Sequence, residues 1–376
     1  MDCRREEVRR VLGGRLFWIL FAGALVVNFW FIINYKGNVP MVAAAVVLEE
    51  NGVYHVTEEN KEEIIAAFAG REPGNAQISV CSAVEVVPRM AEHLEAADFA
   101  EIFIEDLRLA GKAADMVRNA CAPLEELLLR DRKNDTAVSL FVPCTAGFFD
   151  LFAYFLPIAC TVEASLAAVL LMLRCVNAPY DNRSKELVYT TKTGRRLNRL
   201  QTESALFTIL LFAVALWGST ILLAEGVFRM GELWQVKVGS MMMLHFFYPI
   251  LCRFSISLST YMLLQAALSV CMALLFGIAA AFFVTRTHRT VTAFFKISFC
   301  CALAAAAAEI APRDSLLFFI LRFQPVEFVK KAGRWFASGA GFLSVRYYEA
   351  AFVLFWGALL LLILIRQYKK FRLEDI

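Results

Sequence analysis

The sequence alternates long apolar stretches with charged ones, and six of the apolar stretches are long enough to cross a bilayer. A spanning helix needs about 20 mostly apolar residues. The stretches that meet this requirement lie at 16–34, 148–173, 204–224, 262–284, about 291–311 and 347–365. The pattern therefore predicts an all-α polytopic membrane protein with six transmembrane helices.

Two apolar stretches need a separate interpretation. The first follows five arginines, as a signal peptide would, but it exceeds the usual 7–15 residues and no small-residue cleavage site follows it. We therefore predict an uncleaved first span. The stretch 238–252 is too short to span and contains His245 and Pro249, so we predict an interfacial or re-entrant segment on the outer side.

Basic residues predict which side of the membrane each loop faces. With the N-terminus inside, the segments 1–15, 174–203, 285–290 and 366–376 hold 18 Lys and Arg in 62 residues. The short outer loops, 226–261 and 312–346, hold 9 in 71 residues. Since short cytoplasmic loops carry the excess of Lys and Arg, both termini are predicted to be cytoplasmic.

The segment 35–147 separates the first two spans and is predicted to be an extracytoplasmic domain. It holds 19 acidic and 10 basic residues, whereas the rest of the chain holds 16 and 28. Thr57 as an N-cap and the pattern over about 90–109 predict helices, and alternation near 41–48 and 76–87 predicts strands. The predicted organisation is 1–34 (cytoplasmic tail and first span), 35–147 (outer domain) and 148–376 (second to sixth spans, with the cytoplasmic loop 174–203).

Composition supports a membrane protein and excludes several other classes. The chain is 59% hydrophobic and 19% charged, with a mean hydropathy of +0.58, whereas soluble domains carry about 25% charged residues. The sequence lacks the dense stripe of basic residues that is typical of nucleic-acid-binding proteins. Of the ten cysteines, Cys81, Cys121 and Cys144 lie in the acidic segment, where one disulfide is conceivable.

The sequence lacks the common catalytic motifs. It contains no H-E-x-x-H zinc motif, no G-x-S-x-G nucleophile elbow and no phosphate loop. We therefore predict no catalytic, cofactor-binding or metal-binding residues. Glu163 lies inside the second predicted span, where a charged group costs about 2.5–3.5 kcal/mol. It is either a contact in a substrate or proton pathway, or a packing group hydrogen-bonded to a neighbouring helix.

The loop 174–203 is the most informative stretch. It is cationic and carries apolar anchors around a Tyr-Thr-Thr-Lys-Thr-Gly-Arg-Arg centre. Attraction to lipid headgroups explains its charge but not this centre. A short helix with a protruding Gly-Arg turn suits docking into a groove on another protein.

The same loop resembles that of bacterial ABC-2-type exporter permeases, in the branch with a large outer domain between the first two spans. The residues that carry the resemblance are Ser184, Leu187, Val188, Tyr189, Thr190, Thr191, Lys192, Gly194 and Arg195. The resemblance implies a docking site for a partner at Asp181, Ser184, Leu187, Tyr189, Thr190, Thr191, Lys192, Gly194, Arg195 and Arg196. The Phe141-Val142-Pro143 segment and Glu163 also look like family features. The sequence departs from the family pattern with Asp181 in place of Glu and Gln201 in place of Lys.

The resemblance implies a function, a location and partners. In that family the loop forms a coupling helix that docks on a separate ATP-binding-cassette subunit, so ATP would be bound by the partner and not by this chain. It also implies a bacterial plasma-membrane location and a homodimer or heterodimer of permeases. Two other hypotheses stay open: a membrane-anchored receptor or assembly factor, and an intramembrane enzyme using Glu163, Asp150 or His245.

Overall fold

The computed structural model describes residues 2–37, 62, 66, 95–123, 125–126, 150–181, 194–228, 231–235, 251–252, 256–287, 289–338 and 347–373. In chain order the helices are α1 (Asp2–Leu12), α2 (Arg15–Gly37), α3 (Ala96–Leu107), α4 (Gly111–Cys121), α5 (Leu156–Val176), α6 (Ala178–Asp181), α7 (Gly194–Phe228), α8 (Leu258–Thr287), α9 (Thr290–Glu309), α10 (Leu317–Arg322), α11 (Pro325–Lys330) and α12 (Tyr348–Leu373). A π-helical segment, Asp150–Phe155, leads into α5, and 3-10 turns lie at Gly231–Gln235 and Ala332–Arg334. The two-residue strands β1 (Leu251–Cys252) and β2 (Ala337–Ser338) pair antiparallel.

Six helices in this part of the chain are long and apolar enough to cross a membrane, which confirms the predicted number of spans. They are α2, α5, α7, α8, α9 and α12. The largest difference from the prediction is in α7, which was expected to begin near residue 204 and begins at Gly194. The segment 194–203 is therefore not loop, because its charged residues continue the helix beyond the apolar span.

The helices α5 and α8 form the centre of the bundle. Their most apolar windows are 67% and 56% buried, against 22%, 17% and 22% for α2, α9 and α12. Small side chains allow two helix backbones to approach closely inside a membrane. The buried alanines that line these two helices are Ala164, Ala167, Ala168, Ala273, Ala280 and Ala281.

Successive spans run in opposite directions, so after six spans the last turns of α12 lie at the same end of the bundle as α1. We call this end the terminal end and the opposite end the far end. The arginine-rich start of the chain is helical at the terminal end. Val11 and Leu12 of α1 pack against the core between the spans, while Arg5 and Arg9 are exposed. The chain then turns at Gly13-Gly14 into α2.

The described part of the predicted outer domain is a helical hairpin at the far end. The helix predicted over about 90–109 is α3, and α4 packs against it through Arg118, which makes two hydrogen bonds to Glu101. These bonds lower the pKa of Glu101. The predicted strands near 41–48 and 76–87 lie outside the described residues, and the described residues 95–126 do not support the predicted β character.

Backbone contacts attach this hairpin to the bundle. The amide of Ala110 donates to the carbonyl of Arg313, 3.0 Å away. Gly111 has a φ of +51°, and a Cβ at this position would lie 3.1 Å from the carbonyl oxygen of Asp314. The positive φ and this close approach both favour glycine. Buried Cys121 of α4 joins the same hydrophobic core as α8 and α12, whereas Cys81 and Cys144 lie outside the described residues.

Candidate functional site

A buried polar cluster joins three spans near the far half of the bundle. The side-chain amide of Asn28 on α2 lies 3.0 Å from the Thr220 hydroxyl on α7 and 3.1 Å from a carboxyl oxygen of Glu163 on α5. It also lies 3.5 Å from the sulfur of Cys160. Asn28, Cys160 and Thr220 are fully or almost fully buried.

The cluster has more hydrogen-bond acceptors than the Asn28 amide can satisfy. One amide nitrogen carries two hydrogens and cannot serve three acceptors at once. The other carboxyl oxygen of Glu163 and the carbonyl oxygen of Asn28 are buried and have no hydrogen-bond partner among the described residues. Glu163 thus contacts a neighbouring helix, as the packing interpretation expects, and retains an unused polar atom, as the pathway interpretation requires.

At the terminal end, the start of the 174–203 loop is tied to a distant span. Thr290, the first residue of α9, accepts a hydrogen bond from the Asn177 side chain at 2.8 Å. The Thr290 hydroxyl donates to Asp181 at 3.2 Å. Asn177 is almost fully buried, whereas Asp181 is exposed. This relay fixes the end of α5 and the short helix α6 against α9.

The other end of the loop is also fixed. The thiol of Cys175 on α5 donates to the backbone carbonyl of Gln201 on α7, with 3.4 Å between the heavy atoms. Gln201 and Thr202 are buried, and α1 packs against α7. The connection between α6 and α7 therefore begins and ends in packed structure.

The predicted docking residues divide into three groups. Asp181 ends α6. Gly194, Arg195 and Arg196 form the first turn of α7, so a separate protruding Gly-Arg turn is not found and the thirty-residue loop is shorter than predicted. The third group lies outside the described part of the chain and consists of Ser184, Leu187, Tyr189, Thr190, Thr191 and Lys192. His245, named in the enzyme hypothesis, also lies outside it.

The far end carries an aromatic cap that the sequence interpretation missed. The rings of Phe328 on α11 and Phe352 on α12 stack with centroids 4.0 Å apart, and Trp335 stacks on the other side of Phe328 at 4.9 Å. The indole nitrogen of Trp335 donates to the Phe328 carbonyl. We call residues 311–338, which carry α10, α11 and β2, the cap segment.

The cap segment is held by close backbone packing and by a buried carboxylate. A Cβ on Gly333 would lie 2.6–2.9 Å from atoms of Tyr154 in the π-helical segment, including its backbone. Glu349 at the start of α12 is buried and accepts a hydrogen bond from the backbone amide of Phe336 at 2.8 Å. The cap thus depends on contacts between residues far apart in sequence.

Charged side chains form a network around the cap segment. Lys330 bridges Glu327 at 2.6 Å and Glu309 at 3.0 Å, and Glu327 is buried. Glu309 is exposed at the end of α9, as an interfacial residue would be. Burial and the nearby Arg322 lower the pKa of Lys331 from 10.5 to about 7.

Comparison with known proteins does not place the chain in a family. No family profile, no curated protein and no solved structure matches the chain. The fold and the site therefore define a class, a multi-pass helical membrane protein, and the function rests on the chain's own residues.

Proposed function

We propose that the chain is the permease subunit of an ATP-driven exporter of the ABC-2 type, located in a bacterial plasma membrane with both termini in the cytoplasm. ATP hydrolysis takes place on a separate ATP-binding-cassette subunit, which contacts the chain around residues 181–196. Two permease subunits, identical or related, form the pathway. The apolar faces of α2, α9 and α12 are largely exposed, so lipid or a second permease can cover them.

The observation that carries the proposal is the anchoring of the loop at both ends. Asn177, Asp181 and Thr290 connect its start to α5 and α9. After its end, Gln201, about two turns into α7, accepts a hydrogen bond from Cys175 of α5. A force on residues 182–193 is then transmitted to three spans. Coupling requires that each state of the ATPase contact the permease differently, and a loop fixed in this way can transmit that difference.

The test is capture of the ATPase followed by a rate measurement. The tagged chain is purified in mild detergent and the co-purifying protein with a phosphate loop is identified. Its ATP hydrolysis is then measured in proteoliposomes with and without the permease. We expect the permease to change this rate, and we expect Arg195→Glu to abolish both capture and the rate change.

The position of α7 determines which variants are informative. Proline is tolerated in the first turn of a helix, so Gly194→Pro is expected to leave α7 intact and is a weak test of docking. A carboxylate near a helix N-terminus is favourable, so Arg195→Glu is expected to preserve α7. Arg366→Glu, an exposed charge reversal on α12 at the same end, is the control. Capture that survives Arg195→Glu, or the absence of any ATPase, would favour the receptor or assembly-factor alternative.

A further inference from the structure

A cavity of about 440 Å³ lies in the elbow between α1 and α2 at the terminal end. Its walls come from the end of α1, the Gly13-Gly14 turn, the start of α2, the end of α5 and α6. A helix that lies beside the bundle instead of continuing α2 creates this space. The cavity thus sits where α2 enters the predicted membrane.

The polar side of the cavity is cationic. Arg10, Arg15 and Arg174 line it, and Asp181 is the one acidic residue among its lining residues. Arg10 is paired with Glu7 at 2.6 Å. Within the part of the chain that the structure describes, Arg15 and Arg174 make no ion pair, so two guanidinium groups from different helices have unused donors.

The opposite side of the cavity is apolar. Leu16, Phe17 and Leu171 line it, and these residues continue directly into the apolar faces of α2 and α5. A cationic rim above an apolar wall, at the point where a span begins, matches the chemistry of a phospholipid. Basic pockets between spans on the cytoplasmic side are typical sites for anionic headgroups.

We propose that this cavity binds the phosphate group of an anionic phospholipid, with Arg10, Arg15 and Arg174 as the phosphate-binding residues. Guanidinium groups bind phosphate oxygens through two parallel hydrogen bonds. The glycerol and upper acyl chains then lie along Leu16 and Leu171. A bound lipid ties α1 to α5 and α6, next to the anchored start of the 182–193 loop. The inference does not depend on the ATP-driven function.

The test is native mass spectrometry of the full-length protein in detergent. It is mixed in turn with phosphatidylglycerol, with phosphatidylcholine and with inorganic phosphate. The informative variant is Arg10→Gln/Arg15→Gln/Arg174→Gln. The control is Arg5→Gln/Arg9→Gln/Arg366→Gln, which removes three exposed arginines from the same end without touching the cavity.

We expect the wild-type protein and the control to retain one phosphatidylglycerol at collision energies that remove phosphatidylcholine. In the cavity variant we expect at least a tenfold lower retention, on the order of the 1.4 kcal/mol that a tenfold change in affinity represents. Arg174→Gln alone is measured as well. If the triple variant does not fold, the single variant still tests whether Arg174 contributes to lipid retention.

Three outcomes would overturn the proposal. Equal retention of the two lipids would show that charge is not recognised. The same loss in the control as in the cavity variants would show diffuse attraction of anionic lipid to the whole terminal end. Displacement of phosphatidylglycerol by millimolar inorganic phosphate would show a site for a free anion and not for a lipid.

Discussion

The two ends of the bundle are held together in different ways. At the far end, Phe328 and Trp335 of the cap segment form a buried aromatic stack with Phe352 of α12. At the terminal end, hydrogen bonds through Thr290 and Cys175 hold the helices that flank the loop, and Arg5, Arg9 and Arg199 are exposed. Extensive apolar packing resists deformation, so the far end is suited to a fixed closure and the terminal end to interaction and movement.

Removing the α12 ring that stacks on the cap segment is expected to have the largest effect. Phe352→Ala empties a fully buried site, and such truncations cost about 3–5 kcal/mol in the free energy of unfolding. Thermal unfolding of the detergent-solubilised protein measures the loss. Phe299→Ala, which truncates an exposed ring on α9, is expected to change little. Equal effects of the two variants would contradict a packed cap.

A smaller effect is expected from adding one methyl group under the cap. Gly333→Ala places a Cβ within 3 Å of Tyr154 backbone atoms, and overpacking of this kind costs about 1–3 kcal/mol. Gly218→Ala on α7 is the control, because its added Cβ meets nothing within 4 Å. The same unfolding assay compares them, and a neutral Gly333→Ala would show that the cap does not pack tightly on the π-helical segment.

The charge of Lys331 predicts a pH dependence at the far end. Its pKa is about 7 in the folded protein and 10.5 in a model peptide, so the unfolded chain holds more protons between these values. Stability from this group therefore rises with pH from about 7 to 10.5 and is smallest below pH 7.

Unfolding temperatures measured from pH 6 to 9 test this sign. Lys331→Met is expected to reduce the rise by an amount equivalent to about 1 kcal/mol or more, since one pKa unit corresponds to about 1.4 kcal/mol. Lys112→Met removes an exposed lysine from the hairpin and is expected to leave the rise unchanged. A wild-type protein that loses stability over this range would argue against a half-buried Lys331 with a lowered pKa.

The smallest effect on stability is expected at the terminal end. Thr290→Val removes two hydrogen bonds, one from Asn177 and one to Asp181. Loss of the bond from buried Asn177 costs about 1 kcal/mol, and the bond to exposed Asp181 adds little. Hydrogen–deuterium exchange should nevertheless increase in residues 176–181, because their tie to α9 is lost. Thr292→Val, on the exposed face of α9, is the control. Unchanged exchange would mean that the relay does not hold the loop.

Much of the fold follows from hydropathy, and the exceptions have physical causes. The six spans were predictable because each contains about 20 apolar residues. The start of α7 was not, because the helix between Gly194 and Ser204 is polar and lies beyond the apolar window. The helices α10 and α11 have six residues each, so they produce no clear periodicity, and Gln324-Pro325 was the available local signal.

The candidate site was predicted in part. Glu163 was identified because a carboxylate is costly in a span, and the same argument applied to Asn28 in the first span would have found its partner. Asn177 and Thr290 are 113 residues apart, so no local pattern connects them. The α1 helix was read as a charged tail, although Val8, Val11 and Leu12 have helical spacing.

Photocrosslinking at both ends in living cells tests the central claim most directly. A photoreactive phenylalanine analogue replaces Tyr189 in the loop or, as the far-end control, exposed Leu317 on α10. We expect an adduct from position 189 that contains a phosphate-loop ATPase, and no such adduct from position 317. Absence of the ATPase from the position-189 adduct, or its presence in both, would contradict the assignment of the terminal end as the docking site of an ATP-driven exporter.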